Sequence, residues 1–292
     1  MLKADDYLIN NLITIDREGV DTSKIPNCKV RAKWEDGTPA HTKFITHVTE
    51  TYDISKGEFP FSELRPIAVK SGIKEILWIY QDQSNSLELL REKYNVKWWD
   101  SWDVGNGTIG QRYGATVLKY DQMNRLLDGL KNDPYGRRHI ISLWQLDDLL
   151  NNPGLAPCAF ETIWTVRGEY LDCYLAQRSN DIFPAGNINK LSYVALLMMV
   201  AQSTGYKPGK FTHFIDNYHY YDRHEWVKEE ITKRYSELRK MRFSLNVDNI
   251  IAKPKLVLNT DNTDFYKFTI DDFIVQDYNP LPKLEKAIEI AI

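Results

Sequence analysis

The segment Tyr193 to Ala201 is the longest strongly apolar run in the chain, at nine residues, and it narrows the possible folds more than any other stretch. A helix that crosses a bilayer needs about 20 such residues. A run this short belongs inside a globule, and the stretch Ser192 to Gln202 predicts a helix buried on all sides. A chain of 292 residues can enclose one, since at this length roughly 75% of the unfolded surface is buried on folding. No repeat, low-complexity tract or long Gly/Ser/Pro-rich linker divides the sequence, which indicates a single domain over 1–292.

Helical spacing predicts three amphipathic helices around that core: Asp5 to Arg17, Pro66 to about Tyr80, and Asp121 to Leu130 ahead of Asp133-Pro134. A fourth, over His224 to Lys240, would lie on the surface. β-Branched and aromatic residues predict strands at Lys43 to Tyr52, His139 to Trp144, Phe160 to Val166, Tyr170 to Ala176 and Thr212 to Tyr221. Arg167-Gly168 reads as a turn, and Asp21 to Thr42 as a loop that holds Arg31. Helices with mostly antiparallel strands and no repeating βαβ rhythm indicate an α+β fold.

The net charge of −3 gives no general field for a polyanion, so a small phosphorylated ligand fits better than nucleic acid. Cys28, Cys158 and Cys173 are odd in number and widely spaced, a pattern of neither a disulfide framework nor a zinc ligand set. No metal is expected. Reduced thiols, and a charged start without a secretory-type apolar core, lead to an expectation of a cytoplasmic protein without a membrane segment.

The chemistry-bearing residues cluster in the second half of the chain. Cys158, in Ala156-Pro157-Cys158-Ala159-Phe160, precedes a strand-like stretch that leads to Gln177-Arg178-Ser179-Asn180-Asp181. Taken alone, a free Cys is most readily a small buried hydrophobe. Beside guanidinium groups it becomes a candidate thiolate nucleophile. Arg137-Arg138 reads either as a solvated turn or as a phosphate clamp, and Arg178-Ser179 supplies a fork of donors and a hydroxyl suited to phosphate oxygens. Asp181 and Asn189 flank the turn Phe183 to Asn187, where each could be only a cap, although an Asn side chain also matches the imide edge of uracil. His219 and Tyr221 share one face of a late strand as a core pair or as ligand donors. Glu75, in an otherwise apolar helix, would have a raised pKa if buried, which suits proton transfer near neutrality.

In order and spacing these residues resemble the thymidylate synthase family. The resemblance rests on Arg137-Arg138, Pro157-Cys158, Gln177 to Asp181, Asn189, Ser192-Tyr193 and His219-Tyr220-Tyr221. It extends to Glu75-Ile76-Leu77-Trp78, Trp99-Asp100-Ser101-Trp102, Gly110 to Gly114, and the tail from Tyr278-Asn279-Pro280 to Ile292. It implies a large mixed sheet packed with helices, with one sheet face forming a homodimer interface.

The implied reaction is reductive methylation of dUMP to dTMP, with methylenetetrahydrofolate giving both carbon and hydride. By similarity, Cys158 adds to the sixth carbon of uracil. Arg31, Arg137, Arg138 and Arg178 with Ser179 hold the phosphate, the pair 137–138 coming from the neighbouring subunit. Asn189 reads the uracil edge, and His219 and Tyr221 hold the deoxyribose hydroxyl. Glu75 with Tyr113 manages water and protons, while Asp181, Trp99, Trp102 and Arg65 face the folate. The tail ending at Ile292 closes over the ligands. Ala159 stands where many relatives have His, Arg65 where they often have Lys, and the stretch from Arg31 to Ala40 resembles a branch from some Gram-positive bacteria and their phages. The alternative within the superfamily is a dUMP or dCMP hydroxymethylase. Relatives acting on cytosine tend to carry an acid at the position of Asn189.

Overall fold

A computed structural model describes residues 1–245 and 252–292. Helix α1 (Lys3–Glu18) is followed by a two-residue strand β1 (Val20–Asp21), the long strand β2 (Thr42–Asp53) and helices α2 (Val69–Ile76) and α3 (Leu87–Tyr94). Next come α4 (Gly114–Lys119), α5 (Gln122–Asn132), β3 (Ile140–Ser142), α6 (Leu146–Asn151), β4 (Ala159–Arg167) and β5 (Tyr170–Asp181). Helix α7 (Gly186–Thr204), β6 (Lys207–Tyr221) and α8 (Glu225–Leu245) complete the main body, and a small hairpin of β7 (Lys255–Leu258) and β8 (Phe273–Gln276) follows. The main sheet runs β1-β2-β6-β5-β4-β3. All its pairings are antiparallel except β5 with β6, which is parallel. The α+β expectation holds, with a mixed, mostly antiparallel sheet.

The parallel pair exists because α7 connects its strands. Fourteen of the 19 residues of α7 are buried, so the helix has almost no solvent face and must lie between the sheet and other helices. Leu191, Val194, Leu196, Leu197, Met199 and Val200 are fully enclosed, each contributing about 1.5–3 kcal/mol of burial. Gly72 lets α2 approach closely: a Cβ there would stand 2.4 Å from Ser192 Oγ. A second cluster, under α1 and α8, joins Leu8, Leu12 and Ile15 to Ile215, Tyr218, Val227 and Ile231.

Several boundaries differ from the sequence expectation. The helix predicted from Pro66 begins at Val69, because the Ile67 amide donates to Tyr278 Oη at 3.0 Å and the Arg65 guanidinium is held by the Phe183 carbonyl, keeping the approach extended. That helix ends in a wider turn over Leu77–Gln81. Strand β5 runs five residues beyond Ala176, because Gln177, Ser179, Asn180 and Asp181 pair with β6. Helix α7 begins at Gly186, which puts Asn189 on its first turn, where its amide donates to Ala185 O at 3.0 Å. The turn expected over Phe183 to Asn187 is therefore shorter. Among the described residues, no helix is long and apolar enough to cross a membrane.

One buried ion pair ties these layers together. Lys190 Nζ on α7 lies 2.7 Å from Glu50 Oε2 on β2, with both side chains sealed from solvent. Tyr52 Oη donates to the same carboxylate at 2.6 Å. Breaking a buried pair from one side leaves an uncompensated charge and costs about 3–5 kcal/mol, whereas a neutral, well-packed replacement of both partners is often tolerated. Lys190→Met alone should therefore lower stability by about 3–5 kcal/mol, and Glu50→Gln/Lys190→Met should recover most of it, measured by reversible denaturant unfolding.

Candidate active site

The carboxyl half of β5, the first turn of α7, the end of β6 and the loop before β4 converge because β5, α7 and β6 are consecutive. Cys158 sits immediately before β4, where a register shift between Ala159 and Glu161 marks a bulge, a feature that re-aims side chains at sites. The Cys158 carbonyl accepts from the Arg178 amide at 2.9 Å, and Arg178 Nη2 lies 3.5 Å from Cys158 Sγ. The same guanidinium donates to the carbonyls of Pro157 at 3.0 Å and Ala156 at 2.7 Å, which fixes its position. Burial pushes the Cys158 thiol up, and Arg178 only partly offsets this. The expectation of a thiolate is thus not met in the single chain, because one guanidinium does not outweigh desolvation.

Tyr113 stands beside Cys158, with Oη accepting from the Cys158 amide at 3.1 Å. Tyr113 has φ +48° at the start of α4, a strained setting for a bulky residue. Burial holds its phenol well above the usual range. Glu75 accepts from the indole N–H of Trp99 at 2.7 Å and from that of Trp98. Desolvation raises its pKa, against the lowering by the two indoles. Trp99 meets Tyr113 edge-on at 5.0 Å and Trp102 at 5.5 Å, forming an aromatic wall.

On the opposite side, Asn189 Nδ2 approaches Gln177 Oε1 at 3.4 Å, and that oxygen also takes the buried His213 Nε2 at 2.8 Å. Because the amide oxygen can only accept, Nε2 of His213 carries the hydrogen. His219 Nδ1 pairs with Asn217 Oδ1 at 2.8 Å. Burial lowers the His219 pKa to about 4, so the ring is neutral at pH 7. Tyr221 meets it edge-on at 5.1 Å. Asp181 is pushed up to about 8 by burial, against the Phe183 amide and Arg65, and its Oδ1 has no partner. Ser179 lies on β5 opposite Asn217. Among the described residues, no cluster of His, Cys, Asp and Glu could hold a metal ion.

Other predicted residues lie apart from this centre. Arg137 and Arg138 are exposed in the loop before β3, and Arg31 is exposed ahead of β2. Arg65 is engaged with the Phe183 carbonyl. The tail is seated: Ile292 pairs with Lys33 through both backbone groups, at 2.8 and 2.9 Å. Sequence reasoning passed over Trp98, Gln177, His213 and His224 as site residues. The indole pair of Trp98 and Trp99 left a trace in the doubled Trp-Trp of Lys97-Trp98-Trp99; the two histidines gave none, because their partners are remote in sequence.

Comparison with known proteins gives one consistent result. The family model described as thymidylate synthase matches residues 23–290. The thymidylate synthases of Streptococcus pneumoniae and Streptococcus gordonii are each 47% identical over 292 residues, covering 98% of both chains. The solved structure of thermostable thymidylate synthase A from Bacillus subtilis superposes with a TM-score of 0.82 at 32% identity, covering 99% of each chain. With the family model spanning nearly the whole sequence and the fold matching throughout, this chain belongs to the thymidylate synthase family.

Proposed function

We infer that this chain converts dUMP to dTMP by reductive methylation, with methylenetetrahydrofolate as the co-substrate that supplies the carbon and the hydride and leaves as dihydrofolate. The observation that carries the reading is Cys158, held 3.5 Å from Arg178, in a chain similar to named thymidylate synthases over 98% of its length. Those names favour methyl over hydroxymethyl transfer. The residues present suit a reduced folate: Trp99 and Trp102 supply an aromatic pair, and Asp181 a buried carboxyl whose second oxygen lies away from His224.

Uracil alone is a poor carbon nucleophile, and adding a thiolate at its sixth carbon moves the electron pair toward the fifth carbon. Cys158 makes that addition. The substrate phosphate, a dianion bound by Arg178 and Ser179, has its closest charge neighbour in the same guanidinium that faces the sulfur. Asn189, oriented by Gln177, presents a donor and an acceptor to the imide edge. Neutral His219 and Tyr221 serve the ribose hydroxyl. Glu75, with its raised pKa, and Tyr113 relay protons at the pyrimidine, and the tail ending at Ile292 excludes water during the reaction.

The phosphate clamp needs a second chain. Trp164 N donates to His139 O and Ile140 pairs with Ile163, so Arg138 stands near Thr165, about seven residues from Cys158 along β4. At ~3.3 Å per residue that is roughly 23 Å, far beyond an arginine side chain. This favours Arg137 and Arg138 acting on the site of a homodimer partner. The sheet face away from α7 supports such a dimer: it carries the partly exposed Ile163 and a stack of Tyr174, Phe214 and His47.

Three measurements test this reading. Protein incubated with dUMP and methylenetetrahydrofolate should release dihydrofolate, seen by absorbance, and Cys158→Ala should reduce the rate by more than about 10³-fold; fluorodeoxyuridylate with the folate should form a covalent complex with wild type but not with that variant. Mixing inactive Cys158→Ala and Arg137→Ala/Arg138→Ala chains, after dissociation and reassembly, should restore about a quarter of wild-type activity, since only mixed dimers contain one complete site. No recovery would place the arginine pair in its own chain's site. The third concerns Asp181, whose folded pKa of about 8 lies above its ordinary 3.8. Its contribution to stability is whole below the lower value and is lost as pH rises through the upper one. Asp181→Asn cannot ionise, so its Tm relative to wild type should climb steadily as pH is raised from about 4 to about 8.

A further inference from the structure

His224 lies in the turn Asp222–His224 between β6 and α8, sealed from solvent. Three aromatic rings fix its plane, all edge-on: Trp34 at 5.6 Å, Phe183 at 6.0 Å and Tyr221 at 5.9 Å. Its Nε2 lies 2.8 Å from the main-chain carbonyl of Glu289, in the tail. A carbonyl only accepts, so Nε2 carries the hydrogen, and Nδ1 of the neutral ring is left as a lone pair. That lone pair faces Asp181 Oδ1 at 3.7 Å. Both atoms are buried and neither has another partner. A buried polar atom left unpaired is costly, and two of them facing each other can be satisfied together if the gap shortens by about 1 Å.

We propose that His224 is a positioning residue that links the seat of the C-terminal tail to the rotamer and proton of Asp181. It rests on the reading above, in which Asp181 meets the folate. The ring is a rigid bridge with two different ends. Through Nε2–H it holds the Glu289 carbonyl, and through Nδ1 it accepts the proton of the Asp181 carboxyl, which turns the second oxygen of Asp181 toward the pocket. No bond is made or broken beyond that shared proton. The tail is held nearby by contacts that do not pass through the ring: Arg223 Nη1 reaches Glu289 Oε2 at 3.1 Å, and Ile292 pairs with Lys33. Seating the tail places the imidazole, and the imidazole places the acid. By reciprocity, a ligand that fixes Asp181 also favours the seated tail.

The two ends can be separated by substitution, because Asn and Gln present their polar atoms at different distances along the side chain. His224→Asn places an acceptor near the position of Nδ1 and cannot reach Glu289; His224→Gln places a donor near the position of Nε2 and offers Asp181 nothing. Each variant, with His224→Ala, is compared with wild type as the full-length dimer. KM for methylenetetrahydrofolate, KM for dUMP and kcat are measured, together with hydrogen exchange of tail amides 288–292.

The expected result is a split. Gln keeps tail protection and raises the folate KM by about 10-fold with the dUMP KM unchanged; Asn keeps the folate KM within about 3-fold, loses tail protection and lowers kcat; Ala loses both. Equal folate KM and equal tail exchange in all three folded variants would overturn the proposal. So would a uniform fall in dUMP binding and stability without the split, which is the signature of a purely structural histidine. The exchange arm needs no turnover, so a wild-type chain that makes no dihydrofolate would defeat the reaction assigned to it while leaving the His224 link separately decided.

Discussion

The burial of α7 is the constraint on which the rest of the structure depends. A helix with 14 of 19 positions enclosed has almost no face to offer water, so the chain must pass over the sheet between β5 and β6 and return in the same direction. That forces the one parallel pairing in an otherwise antiparallel sheet. It also brings the end of β5, the start of α7 and the end of β6 to one place. Arg178, Asp181, Asn189 and His219 meet there because of this packing. The Lys190–Glu50 pair fixes the rotation of the first turn of α7 from behind, and Asn189 precedes that lysine in the chain.

Desolvation dominates the electrostatics of the site. It raises Cys158, Glu75 and Asp181 and lowers His219, so in the single chain burial works against the charged form of each of these groups. Groups held toward their neutral forms cost less to enclose with an uncharged base than ionised ones would. Positive charge stands in Arg178 beside the sulfur, and in the exposed Arg31 and Arg137-Arg138. In the proposed dimer Arg137 and Arg138 of the partner subunit add to this charge, which also bears on when the thiol ionises. The seated tail, paired with Lys33, adds a further boundary and meets the ring of His224 through the Glu289 carbonyl.

How much was legible varied with the range of the interaction. The helix over Asp5 to Arg17, the helix ahead of Asp133-Pro134 and the strand from Phe160 were readable, since local periodicity and a proline stop govern them. The start at Pro66 was misplaced by three residues because Tyr278, more than 200 positions away, holds Ile67. Strand β5 was cut short at Ala176 because its polar end is held by a parallel neighbour instead of by its own alternation. The position of Asn189 on a helix turn was hidden by the glycine and proline before it, which resemble loop chemistry.

Composition, the nine-residue apolar run and the order of short motifs determined the class of fold, the buried central helix and the candidate nucleophile, because these depend on residues close in sequence or on the sum over the chain. The family followed from the same order of motifs. Only the tertiary structure decided the burial of Cys158, the pairing of Gln177 with His213 and Asn189, the separation of Arg138 from its own cysteine, and the place of His224 between Asp181 and the tail. Each is set by burial or by contact between remote segments, and neither quantity is written in any local stretch of sequence.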